Sequence, residues 1–156
     1  MKPTPEGIEI RPAIPGDAAR CHLIRGMTRQ NAVTPEKLAE YGITVQSWRD
    51  DIASGALPGF VAVDSGSIVG YCFGMKKTGE IAVLALLPEY EDKGLGRALL
   101  DRTVQCLQGL GHTRLFLGCS RDPASRSHGF YRHLGWKSTG ALDEHGDEIL
   151  ELFLRD

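Results

Sequence analysis

One stretch of this 156-residue chain is arranged to hold an anion. It reads Pro88-Glu89-Tyr90-Glu91-Asp92-Lys93-Gly94-Leu95-Gly96-Arg97, after the apolar run Ile81–Leu87 and before residues at helical spacing. A helix N-terminus leaves backbone N–H groups without partners and carries partial positive charge. Glycines let a phosphate approach that backbone closely. Lys93 and Arg97 add side-chain charge. Glu91 and Asp92 oppose it, so their side chains must lie away from the phosphate. Gly-x-Gly alone is more often a plain tight turn, and two commoner phosphate loops are excluded. A Walker A loop needs Gly-x4-Gly-Lys-Ser/Thr, which is absent. A dinucleotide turn needs a third glycine where Leu99 stands.

Other reactive residue types form weaker patterns. The five histidines (His22, His112, His128, His133 and His145) have no metal-ligand spacing, and none of the cysteines (Cys21, Cys72, Cys106 and Cys119) forms a Cys-x-x-Cys pair. No metal site is expected. Cys72, Cys106 and Cys119 lie in apolar stretches and read as small buried hydrophobes in a reducing compartment. Cys119 and Ser120 follow a buried strand, where a covalent nucleophile could sit, but no base with an orienting partner accompanies them. His128 and His133 flank Tyr131 and are read as surface residues.

The elements that must position these groups follow from periodicity. Ile8-Glu9-Ile10-Arg11 alternates as an edge strand. Pro15-Gly16-Asp17 opens a helix carrying Leu23, Ile24 and Met27, with Asp17 as N-cap. Thr34-Pro35-Glu36-Lys37 starts a second helix, with Pro35 at its first position. Thr44 caps a third, which runs through Trp48 to Ala53 and ends at Ser54-Gly55. Gly59–Val63 and Ile68–Met75 form a hairpin around Asp64-Ser65-Gly66-Ser67. Ile81–Leu87 is apolar on both faces, as in the centre of a covered sheet. Leu99, Leu100, Val104 and Leu107 line one helix face. Leu115-Phe116-Leu117 is a buried strand. Phe130, Tyr131 and Leu134 sit on the next helix, closed by Gly135. Trp136 opens a further strand, and in Glu148–Leu154 the residues Leu150, Leu152 and Leu154 share a face. With no repeat or linker, residues 1–156 read as one α/β domain with helices on both faces of a mixed sheet.

Bulk composition narrows the partners. A net charge of −2 without a basic run argues against nucleic acid. No apolar run approaches the roughly 20 residues that a membrane span needs. The N-terminal residues lack the apolar core of a signal peptide, so a cytoplasmic protein is expected.

The phosphate turn and a second motif together resemble the GNAT superfamily of acetyl-CoA-dependent N-acetyltransferases. The family's first motif is Gln/Arg-x-x-Gly-x-Gly/Ala after a strand, and here Glu91-x-x-Gly94-x-Gly96 stands there. Its second is an aromatic-Tyr pair, a short spacer and Gly-aromatic, matched by Phe130-Tyr131-Arg132-His133-Leu134-Gly135-Trp136. The resemblance is close over residues 80–137. It implies a mostly antiparallel sheet whose central parallel strands, Glu80–Leu87 and Arg114–Cys119, splay apart around acetyl-CoA as co-substrate. Backbone at Leu84, Ala85 and Leu86 would pair with the pantetheine arm, with the Leu86 N–H as oxyanion donor. Asp92, Lys93, Gly94, Leu95, Gly96 and Arg97 would hold the pyrophosphate. Glu91 departs from the family's Gln or Arg, at a position whose side chain is often solvent-facing. Ala124 departs from a frequent Asn, with Ser125 or Asp122 as the nearest polar substitute.

The resemblance also implies roles in the chemistry. Tyr131 matches the general acid that protonates the CoA thiolate. Glu80 stands where one branch of the family carries its base, acting directly or through water. Transfer would be direct. The acceptor wall would come from the first two helices and the last strands, here Arg25, Arg29, Asn31, Tyr41 and Trp48. Arg25 and Arg29, one turn apart, suit a carboxylate, which points to a small amino-acid-like primary amine. A peptide acceptor, or a non-catalytic acyl-CoA sensor on the same fold, is the competing reading. A homodimer through the C-terminal strands is compatible with the pattern.

Overall fold

A computed structural model describes residues 7–29 and 32–155; Asn31, one of the expected acceptor residues, lies outside them. The element order is β1 (Ile8–Pro12), α1 (Ala18–Arg25), α2 (Pro35–Glu40), α3 (Val45–Ser54), β2 (Gly59–Asp64), β3 (Ser67–Gly74), β4 (Ile81–Leu86), α4 (Leu95–Gly109), β5 (Arg114–Cys119), α5 (Arg126–His133), β6 (Lys137–Leu142) and β7 (Glu148–Phe153).

Most element starts have the chemistry read from the sequence. The Thr34 hydroxyl accepts from the Lys37 N–H at the start of α2, and the Thr44 hydroxyl accepts from the Ser47 N–H at the start of α3. Gly55 then ends α3 in the left-handed conformation. Between β2 and β3, Ser65 and Gly66 both have positive φ (51° and 85°), the backbone of a tight hairpin turn. Asp17 is a correction. It precedes α1 but its carboxylate accepts from no N–H of that helix. Its carboxylate accepts from the Ile14 N–H at 2.8 Å and takes both prongs of Arg11 at 2.9 and 3.0 Å. The nearby arginine and the short 3-10 turn at Pro15–Asp17 claim the carboxylate before the helix can.

The strands form two antiparallel sheets, β1-β2-β3-β4 and β5-β7-β6. They join at one point, where Glu80 bridges Phe116 in parallel and the Phe116 N–H donates to Gly79 O at 3.3 Å. Past this bridge β4 and β5 no longer pair. Helices cover both faces. On one face Leu95, Leu99, Leu100 and Leu107 of α4 pack with Ala62, Cys72, Leu115, Leu117 and Leu150. The only polar side chain buried on α4, Thr103, donates to Leu99 O at 3.0 Å, so it costs little. On the other face α1 and α3 pack Cys21, Ile24, Trp48 and Ile52 against Val61, Tyr71 and Phe73.

The strand buried on both faces is β3, every residue of which is buried from Ile68 to Gly74. β4 is not the covered centre that its apolar run predicts. Ala82 is exposed, and Val83, Leu84 and Leu86 are half-buried. The apolar run walls a cleft on one edge.

Candidate active site

The gap between β4 and β5 opens into a cleft of roughly 460 Å³. Its β4 wall presents backbone. Leu87 donates its N–H to Val69 O at 3.0 Å across β3. N–H groups alternate along a strand, so those of Leu84 and Leu86 face the opposite edge, toward β5. That edge is unpaired beyond the Glu80–Phe116 bridge. Amide groups of an extended arm can therefore add to β4 as another strand would.

At one end of the cleft stands the N-terminus of α4. Gly94 sits there at φ 78° and supplies no side-chain cap, and among the described residues no hydroxyl or carboxylate accepts from the first N–H groups of α4. Gly96 lines the cleft. Leu95 is fully buried and does not line the cleft. Lys93 and Arg97 are exposed, and Arg97 approaches Asp101 at 3.8 Å. Asp92 is exposed too and holds a positive φ of 63°. These features fit a diphosphate on the backbone.

Glu91 does not face solvent, as the resemblance suggested it would. Its side chain is 11% exposed, lines the cleft, and lies 3.0 Å from Arg29 Nε and 3.3 Å from Arg126. Arg126 also reaches Asp92, at 3.0 Å. The acid nearest the turn is thus held between two guanidinium groups from distant segments. Sequence spacing does not single out Arg126, because its partners Asp92 and Glu91 lie 34 and 35 positions back along the chain.

Tyr131 projects from α5 into the cleft and is 9% exposed. Its hydroxyl has no hydrogen-bond partner among the described residues, although its ring packs edge-on to Phe130 and Trp136. Burial drives its pKa up, with Cys72 and Cys119 adding to the rise. The phenol therefore stays protonated at neutral pH. The same burial raises Cys119, which makes that thiol a poor nucleophile. Ser120, the neighbouring candidate, uses its hydroxyl to accept from the Asp122 N–H.

Several expected residues have other duties. Ser125 caps α5 by accepting from the His128 N–H and does not line the cleft, whereas Ser127 does. Glu80 stands at the bridge where the sheets join and does not line the cleft; its carboxyl is pushed up by burial and by Asp143. Trp48 packs on His22, Tyr71 and Phe73 in the core, and Tyr41 is 60% exposed beside His145. Neither lines the cleft. Arg25 and Arg29 both do, but they are not a helical turn apart: α1 ends at Arg25, and Arg29 follows the break at Gly26. The same cleft is lined by Gly118, Ser120 and Asp147, which the sequence did not single out as acceptor residues. Asp147 is reached through the β6–β7 loop, closed by the Asp143 carboxylate accepting from the His145 and Asp147 N–H groups.

Comparison with known proteins agrees with this geometry. The Acetyltransferase (GNAT) family pattern matches residues 25–136. An uncharacterized N-acetyltransferase of Chlorobaculum tepidum is 30% identical over 105 residues, covering 65% of this chain. The chain matches 64% of that relative's length. The crystal structure of the PaiA N-acetyltransferase of Thermoplasma acidophilum, in complex with coenzyme A, superposes with a TM-score of 0.76 at 20% identity, covering 94% of this chain and 98% of that one. A GNAT-family structure from Desulfovibrio desulfuricans, described as a putative acetyltransferase, has a TM-score of 0.78 at 23% identity, covering 95% and 99%. These likenesses carry the fold, and the family pattern spans the phosphate turn, the splayed strands and the Tyr131 helix: the chain belongs to the GNAT acetyltransferase family.

Proposed function

We propose that the protein transfers an acetyl group from acetyl-CoA to the primary amine of a small amino-acid-like molecule, directly and without an acyl-enzyme. The observation that carries the cofactor half is the unpaired edge of β4, which ends beside the open N-terminus of α4. The pantetheine arm pairs with the outward-facing backbone of Leu84 and Leu86, the residues on either side of Ala85, which faces β3. The diphosphate lies on the backbone of residues 92–97, with Lys93 and Arg97 adding charge at longer range. Ser125 contributes by fixing the start of α5, and Ser127 is the hydroxyl nearer the thioester.

In the transfer, the amine nitrogen bonds to the thioester carbon and the carbon–sulfur bond breaks. The Leu86 N–H, pointing into the cleft, donates to the oxygen as it gains charge. The Tyr131 hydroxyl donates its proton to the departing sulfur. A thiolate desolvated beside Tyr131, as Cys119 is by burial, has its proton affinity raised toward that of the phenol. The amine must lose a proton. Glu80 accepts it through water, since the carboxylate stands off the cleft wall; its raised pKa makes it the stronger base.

The acceptor half rests on Arg25 and Asp147 lining the same cleft. A guanidinium suits a carboxylate and an aspartate suits an ammonium, which together describe an amino acid. The exposed edge of β6 is where a homodimer would pair, and sedimentation at two protein concentrations tests it. The functional test is release of CoA thiol across a panel of amino acids, polyamines and peptides. Turnover confined to peptides would remove the small-amine assignment; CoA binding with no turnover of any amine would favour a sensor.

A further inference from the structure

The carboxylates at the turn raise an electrostatic problem. Glu91 and Asp92 flank the N–H groups that would receive a diphosphate, and two negative charges there oppose a third anion. Arg126 is the group that bears on it. It is the first residue of α5, its side chain is 46% exposed, and its guanidinium touches Glu91 at 3.3 Å and Asp92 at 3.0 Å. Arg29 approaches Glu91 from the other side, at 3.0 Å. Arg29, Glu91, Gly96 and Arg126 all line the same cleft.

A guanidinium binds phosphate with the same planar donors that it offers a carboxylate. Because Arg126 is half exposed, moving it between the two anions involves little desolvation. We propose that Arg126 is a ligand of the acyl-CoA diphosphate, and that Glu91 and Asp92 hold it in position by occupying the phosphate's place until acyl-CoA binds. The inference rests on the acyl-CoA reading above. On binding, the Arg126–carboxylate contacts are exchanged for Arg126–phosphate contacts. Arg29 stays on Glu91 and neutralises the carboxylate left behind. Glu91 is therefore a positioning residue that competes with the ligand, and the two partners carry opposite signs. Losing Arg126 weakens binding, whereas losing the charge of Glu91 strengthens it.

Calorimetric titration of the full chain with CoA and with dephospho-CoA tests this, in the wild type, Arg126→Ala, Glu91→Gln and the double variant. Arg126→Ala should weaken both ligands about tenfold, as expected for one charge-assisted contact. Glu91→Gln should tighten both by about threefold or more, and by less than about twofold once Arg126 is absent, because coupled residues are not additive. A purely structural Glu91 would instead give weaker binding in Glu91→Gln. That result overturns the proposal. So does an unchanged affinity in Arg126→Ala, or a loss confined to CoA, which would move Arg126 to the 3′-phosphate. If the wild type binds neither ligand, the acyl-CoA reading itself fails. Binding by the wild type with unmoved variants sinks only the role of Arg126.

Discussion

On the cofactor side, β4, the glycine turn and α4 follow one another between Ile81 and Gly109, and what they offer is mainly backbone: the free edge at Leu84 and Leu86 and the uncapped start of a helix. The remaining wall draws on Arg25, Thr28, Arg29, Ala32 and Val33, on Gly118 to Ser120 and on Asp147, and it offers side chains. Backbone groups are the same whatever the residue, so that wall can bind one invariant ligand through many sequence changes. A side-chain wall changes its ligand with each substitution. The contrast explains why the fold and family identify the cofactor and leave the amine to individual residues.

The contrast can be broken or sharpened by substitution. Tyr131 belongs to neither wall, and its loss should have the largest effect. Tyr131→Phe should lower kcat by about a hundredfold or more, the usual worth of a general acid, while CoA affinity measured by calorimetry stays within about twofold, since the ring packing on Phe130 and Trp136 is kept. A drop in affinity matching the drop in rate would make Tyr131 a binding residue.

Next comes the support beneath the backbone wall. Leu99 is fully buried between α4 and the sheet. Leu99→Ala should cost about 2–5 kcal/mol, seen in denaturant unfolding. The folded fraction should keep its CoA affinity, because no ligand contact is removed.

On the side-chain wall, Arg25→Gln should raise the acceptor KM about tenfold or more, the loss expected of a charge-assisted hydrogen bond, and leave CoA affinity unchanged. Steady-state kinetics with the best amine of the panel reads both. An equal effect on both substrates would mean that the two walls are not separate.

The smallest effect concerns the helix that carries Arg25. His22 is 2% exposed, lies edge-on to Trp48 at 4.7 Å between ring centres, and its Nε2 has no hydrogen-bond partner among the described residues. Burial lowers its pKa below the ordinary 6.5. The unfolded chain therefore takes up the proton first as pH falls. The stability from the neutral ring is fully present above pH 6.5 and is lost as pH drops through the lowered folded value. Melting curves should show that decline, and His22→Gln should flatten it. A melting temperature with the same acid slope in that variant would assign the slope to other groups.

Helix caps at Thr34 and Thr44, the hairpin at Ser65-Gly66 and the apolar stripe of α4 were all legible, because each depends on residues within a few positions of one another. The phosphate turn was legible for the same reason. Glu91 was misread because its neutralising partners, Arg29 and Arg126, lie 62 and 35 positions away in the chain, and no local pattern joins them. Ser125 shows the same limit, because a serine before a helix serves the cap and a ligand with one hydroxyl, and the cap at His128 is what the structure adds. Trp48 and Tyr41 were placed in the acceptor wall by analogy, whereas packing sent one to the core and the other to the surface.

By itself the sequence determined the elements, the helix that ends the phosphate turn, the Phe130-Tyr131 pair and through them the family. These are short-range matters of capping, periodicity and glycine conformation. Only the tertiary structure decided that β4 is an open edge rather than a covered centre, since that depends on where β5 departs after the Glu80–Phe116 bridge. It alone brought Arg126 to Glu91 and Asp147 into the same cleft as Arg25, because contacts between distant segments are set by how the two sheets splay.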